Sequence, residues 1–349
     1  MPICRSTRLI FVLVLLFGCG DDSNPGNPAD AANHLDAPAT DASNVDAQGD
    51  ASNLDAPVDA PAIDAAVDAS PDAALAPVTI FTIVLSLHDY NEIVGSNNAP
   101  YLNSLIAANG LATNYHDVGT GPGLPNRLEM VSGNQQYNSF GVLDSDPTIF
   151  PFPVNSENLG SQLEAASIPW RAYAEEMGTA CRLSINGNYA PKRVPFLYFT
   201  NIQNGAANLC AARVVDSSNL AADLAQGTNR YYWISPSLNH DGTNPSTDPV
   251  ASLQAADTWL STNVPPILAS AAYQANGVLF ITVDHAQGRN GDSTSQVPMV
   301  IVSRRIVSPG FQSAIAYNHA SYLATVEMLL GLPRLGDAAT ATPMLEFLR

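Results

Sequence analysis

Residues 277–284 read GVLFITVD, a nearly unbroken run of apolar and β-branched side chains that ends on an acid and is followed by His285. A run without polar alternation predicts a strand buried on both faces of a sheet. Asp284 then falls at the strand's carboxyl end, the edge where open α/β sheets hold their ligands. Residues 79–85 (TIFTIVL) repeat the pattern and deliver Ser86, Leu87, His88 and Asp89 to the same edge. Two such strands require helices above and below them.

The intervening sequence supplies those helices. Residues 100–110 start on Pro100 and end on Gly110, the usual order for a helix. Further helices are predicted over 127–132, 158–166, 217–225 with Ser217 as cap, 251–260 and 321–330, and strands over 169–175, 230–235 and 297–303. Residues 178–212 read as irregular. Alternating strands and helices predict an α/β domain with a mostly parallel central sheet covered on both faces.

The chain before that domain is of another kind. Residues 9–18 (LIFVLVLLFG) follow Arg5 and Arg8 and lead to Cys19. A basic start, a short apolar core and a small-residue exit make a secretory signal. The string LFGC resembles a bacterial lipoprotein signal, which implies that Cys19 carries the lipid; Gly20 after it favours the outer membrane. The predicted division is therefore 1–19 signal, 20–77 linker and 78–349 folded domain. The linker repeats Asp-Ala every four or five residues, carries no Lys or Arg and is interrupted by prolines. It cannot bury enough apolar surface to offset its ordering entropy, so a disordered tether is expected. By random-coil scaling it would hold the domain roughly 40 Å from the membrane.

The linker holds 12 of the chain's 32 acidic residues; removing those, and Arg5 and Arg8 from the 14 basic ones, leaves 20 acids against 12 bases. That balance gives no basic face for nucleic acid. Membrane contact is expected through the lipid anchor only. Cys181 and Cys210 are the two cysteines of the domain. In an exported chain an even pair predicts a disulfide.

Five histidines fall in the domain, and His88, His240 and His285 each adjoin an aspartate: Asp89, Asp241 and Asp284. Imidazole and carboxylate at successive strand ends suit a divalent metal ion of unspecified identity, although His and Asp are also common in polar loops.

Taken in order, APYLNSL at 99–105, LPN at 124–126 with VSG at 131–133, DTWL at 257–260, VPPIL at 264–268, LFITVD at 279–284, His319 and LGLPRLG at 330–336 resemble the bacterial phosphoesterase family of acid phosphatases and phospholipases C. The resemblance implies an alkaline-phosphatase-like fold and hydrolysis of a small-molecule or lipid phosphoester. It also implies metal ligation by Asp241, Asp284 and His319, a phosphate-side role for Asn126, and the same cysteine pair. Where the family presents Glu-Asn after the first strand, this chain has Ser86 and Leu87; where it presents Asp-Glu after the late strand, the chain has Asp284 and His285. Where the family presents its Ser or Thr nucleophile, two residues before Pro-Asn, this chain has Gly123.

A glycine cannot attack phosphorus, and the catalytic residues of such sites act as a unit. Thr120 could serve only if the loop register shifted by three residues. A metal-activated water is the other route, with His88, Asp89, Asp284, His285 and His319 as ligands. Two readings follow: a metal-dependent surface phosphoesterase, or a non-catalytic descendant that binds a metal, glycan or phospholipid headgroup. A purely structural lipoprotein is a third. Substrate and oligomeric state are not encoded in any local pattern.

Overall fold

The computed structural model describes residues 77–118, 122–135, 144–149, 152–244, 248–288 and 295–349. The signal, Cys19, nearly all of the linker and Thr120 lie outside the described residues.

The described residues form ten strands, in chain order: β1 (Thr79–Leu85), β2 (Gly110–Ala112), β3 (Tyr115–His116), β4 (Trp170–Ala174), β5 (Val214–Asp216), β6 (Tyr231–Ser235), β7 (Gly277–Val283), β8 (Met299–Ser303), β9 (Phe311–Ser313) and β10 (Tyr317–Asn318). Eight form one sheet in the order β5-β4-β6-β1-β7-β8-β2-β9, and β10 pairs with β3 apart from it. The central trio is parallel, with Ile80 beside Tyr231 on one side and Val278 on the other. Every residue of β1, β6 and β7 is buried. Successive side chains point to opposite faces, so both faces of these strands are covered. The fold is the expected α/β arrangement.

Two departures matter for the site. Strand β8 runs antiparallel to β7, with Phe280 opposite Ile301. The described residues between them form no helix, and a crossover is what a parallel return needs. Secondly, the helix predicted from residue 127 begins four residues earlier, as Gly123–Ser132. Gly123 therefore occupies the first turn, and Arg127 lies well inside the helix.

Other boundaries differ for local reasons. The helix predicted over 251–260 runs through Pro249–Ala269, with Pro265 and Pro266 inside it. Both proline rings face solvent, while Leu260, Val264 and Ile267 stay buried at helical spacing. A further helix, Ala271–Asn276, follows at once. The predicted cap Ser217 lies inside a 3₁₀ turn, and Asp216 accepts from Ser218 N instead. Residues 178–212 hold several short helical turns rather than only irregular chain. Cys181 and Cys210 form the expected disulfide, with Cα atoms 5.4 Å apart. No helix among the described residues is long and apolar enough to cross a membrane.

Candidate active site

The carboxyl ends of β6, β1 and β7 meet at one buried point. Ser86 N donates to Asp241 O at 2.7 Å, and Asp284 N donates to Leu85 O at 3.0 Å. These bonds tie the loop after each strand to its neighbour, so Ser86, Asp241 and Asp284 converge. All three are fully buried.

A buried carboxylate is costly unless charge and hydrogen bonds meet it. For Asp284 both are supplied by protein. Ser86 Oγ donates to Oδ1 at 2.8 Å and to Oδ2 at 3.0 Å, and His285 Nδ1 donates to Oδ1 at 2.7 Å. Arg127 Nε donates to Oδ2 at 2.9 Å, and Arg193 Nη1 lies 3.6 Å from the same oxygen. Burial by itself would raise the Asp284 carboxyl; Arg127, His285 and Arg193 outweigh it and hold the group well below the usual carboxylate range. Asp241 is met in the same way. Its Oδ2 accepts from Arg193 Nε at 2.6 Å and its Oδ1 from Thr243 N at 2.8 Å.

Both arginines are themselves enclosed. Arg127 is wholly buried and Arg193 is 6% exposed. The Arg127 guanidinium also donates to Val84 O, Leu85 O and Arg193 O at 3.2–3.3 Å. Burial tends to discharge Arg127, partly opposed by Asp284, whereas Asp241 and Asp284 more than offset burial at Arg193. Two aspartates and two arginines thus form a neutral, closed cluster. Neither arginine was singled out from the sequence. Arg127 did leave a signal there, a lone cation within GLPNRLEMVS, but Arg193 sits in a stretch with no regular period.

Gly123 lies against this cluster. A Cβ on it would overlap Asp284 Oδ2, 2.9 Å from Asp284 Cγ and 3.2 Å from His285 Nδ1. The space beside the position that the resemblance assigns to the nucleophile is therefore filled by the carboxylate that Arg127 and Ser86 hold in place. Leu87 follows with φ 63°, a left-handed backbone that a leucine adopts at a cost of roughly 1–2 kcal/mol.

The remaining expected ligands are committed elsewhere. His319 opens the His319–Leu330 helix and donates from Nε2 to Asp284 O at 2.7 Å. A carbonyl can only accept, so Nε2 carries the proton; Nδ1 accepts from the Tyr115 hydroxyl at 2.8 Å. Burial lowers its pKa, in keeping with a neutral ring whose two nitrogens are both used. His88 Nδ1 donates to Glu92 at 3.1 Å, and Asp89 Oδ1 accepts from Gln287 N and Gly288 N at 2.6 and 3.0 Å. His240 pairs with Glu175, away from Asp241. Asn126 Oδ1 accepts from Val118 N at 2.9 Å, pinning the loop before its own helix. The structure thus brings Asp241, Asp284, His285 and His319 together and leaves His88, Asp89, His240 and Asn126 in local structural roles.

A divalent ion does not fit this donor set. Asp284 and Asp241 already carry guanidinium partners, His319 offers no free lone pair, and among the described residues no group of three or more His, Cys, Asp or Glu side chains is arranged to hold a metal. Of the expected ligands, Asp284, His319, Asp241 and His285 converge but are bonded to protein partners, and His88 and Asp89 bond elsewhere, so the positive charge at this point is supplied by the chain.

The mostly parallel sheet with its acidic strand ends shares its fold with solved structures that include an alkaline phosphatase superfamily protein. Among solved structures, a phosphonate monoester hydrolase from Silicibacter pomeroyi aligns at TM-score 0.52 and 11% identity, over 78% of this chain and 76% of that one. An alkaline phosphatase superfamily protein from Vibrio parahaemolyticus aligns at TM-score 0.51, 11% identity, 78% of this chain and 71% of that one. These likenesses concern the fold. Residues 92–333 match the model of the Phosphoesterase family, and the chain belongs to that family. It is 28% identical over 287 residues to a phosphatidylinositol-3-phosphatase of Mycobacterium tuberculosis, covering 78% of this chain and 85% of that relative. It is 25% identical over 267 residues to a "Probable acid phosphatase" of Kluyveromyces lactis, covering 73% of this chain and 59% of that relative. The scaffold is that of hydrolases acting on phosphoester bonds.

Proposed function

We propose that this chain is a non-hydrolytic member of the Phosphoesterase family, lipid-anchored through Cys19 and held off an outer membrane by its Asp-Ala tether. One observation carries the reading: the space a nucleophile's Cβ would need at position 123 is occupied by the Asp284 carboxylate. No hydroxyl can be presented there without displacing a buried ion pair. The role left to the domain is recognition, and the classes its tether puts within reach are phospholipid headgroups and surface glycans.

The likeness to a phosphatidylinositol-3-phosphatase favours a second reading, hydrolysis of a phosphoester by a water molecule in place of a seryl or threonyl nucleophile. Purified full-length protein, assayed against p-nitrophenyl phosphate, its diester and phosphoinositides across a panel of divalent metals, separates the two. The expected outcome is no turnover above the Asp284→Ala control, and Gly123→Ser restoring none. Turnover that Asp284→Ala abolishes would establish the hydrolase instead.

A further inference from the structure

We infer that Arg127 and Arg193 are the resident cations of this site and stand in for divalent metal, so that the domain is built to fold and persist without a metal ion. The inference goes beyond loss of hydrolysis: a chain can lose its nucleophile and still need its ions. Its basis is charge and occupancy at the ends of β6, β1 and β7. Asp241 and Asp284 are wholly buried anions and must be neutralised by something. Arg193 bridges them, with Nε 2.6 Å from Asp241 Oδ2 and Nη1 3.6 Å from Asp284 Oδ2. Arg127 closes the other side of Asp284 at 2.9 Å. Among the described residues, an added divalent cation would meet two fixed positive charges and, on Asp241 and Asp284, carboxylate oxygens that each already accept a hydrogen bond.

The two arginines come from separate elements, the Gly123–Ser132 helix and the 3₁₀ turn Pro191–Arg193. Each carries hydrogen bonds beyond the aspartates. Arg193 Nη2 reaches Thr243 Oγ1 at 3.0 Å, and Arg127 reaches the last two carbonyls of β1. A guanidinium can offer several donors in one plane, so these groups replace a cation's charge and also its role of holding several segments together.

The substitution predicts an exchange. Replacing Arg127 and Arg193 by Gln leaves Asp241 and Asp284 uncompensated, a site of the kind that attracts a divalent ion. The test uses the full-length protein treated with EDTA, with metal content read by elemental analysis and unfolding followed by calorimetry. Wild type is expected to hold sub-stoichiometric metal and to unfold at the same temperature with EDTA, Zn²⁺ or Mn²⁺. The Arg127→Gln/Arg193→Gln variant is expected to unfold at lower temperature in EDTA and to recover in Zn²⁺ or Mn²⁺. Stoichiometric metal in wild type, a wild-type midpoint that drops in EDTA, or a folded double variant indifferent to both ions would overturn the inference. Should the double variant fail to fold, the wild-type metal content and chelator response decide alone. Turnover in the phosphoester assays would overturn the non-hydrolytic reading and leave this one standing if it proceeds without metal.

Discussion

Charge at single positions governs this site, and the same holds in the helix beside it. Glu129 lies two residues after Arg127, fully buried, and neither of its carboxyl oxygens has a hydrogen-bond partner among the described residues. Burial, with the charge of Asp337, raises its pKa to about 7. Glu327 is raised to about 7 as well, chiefly by burial. A carboxyl whose folded pKa exceeds its unfolded one stabilises the fold fully below the unfolded value, and that contribution is lost as pH rises through the folded value. The native state should therefore weaken between pH 4.5 and 7 on account of these two groups. For Glu129, raised from 4.5 to about 7, the loss is on the order of 3 kcal/mol. Glu129→Gln should flatten that slope. Denaturant unfolding at pH 5 and pH 8 measures it, and an unchanged slope in the variant would remove Glu129 as the cause. Asp284 acts in the opposite sense, losing its stabilisation only in strong acid.

At the scale of elements, helix ends are secured from a distance. The Pro100–Ala108 helix has Ala99 at its N-cap and no cap side chain of its own. Asp257, from the middle of the Pro249–Ala269 helix, accepts from Tyr101 N at 2.9 Å and Leu102 N at 2.8 Å. Capping by a carboxylate is worth typically about 1 kcal/mol and up to 2. Asp257→Ala should cost that amount in chemical denaturation, and Asp257→Asn should recover part of it. The segment holding Asp257 could be singled out in the sequence, but its partner could not, since the two helices are far apart along the chain. Helix starts show the same division. Asn158 and Asn318 cap their helices through the third residue on, a spacing visible in the sequence. The early start at Gly123 was hidden, because Gly and Pro there read as loop.

For the molecule as a whole, the Cys181–Cys210 bridge closes a segment with a sequence separation of 29 that contains Arg193. Loop-closure entropy gives it a stabilisation of roughly 3–4 kcal/mol. Cys181→Ser/Cys210→Ser, or reduction, should lower the unfolding midpoint by a corresponding margin, and a midpoint unmoved by either would show the bridge to be energetically idle. Because the loop supplies one of the two buried cations, the expected loss extends to the acidic strand ends of the central sheet.

The sheet was legible from the chain alone because β1 and β7 are buried on both faces, and continuous apolar sequence has few other uses. The residues that follow them, Ser86 and Asp284, were legible for the same reason, and the cysteine pair was legible from its even number in an exported chain. What neutralises Asp284 was not. The answer comes from Arg127 and Arg193, 157 and 91 positions away in sequence, and a local pattern carries no record of which distant cation reaches a buried anion. Histidines beside aspartates suggested a metal; the hydrogen bonds that occupy those histidines, and the guanidiniums that occupy the carboxylates, arise only when separate strands and helices close around one point. Local sequence sets where a strand must be buried, because burial is a property of consecutive side chains. Tertiary structure decides which charges meet there, because electrostatic pairing depends on distance in space.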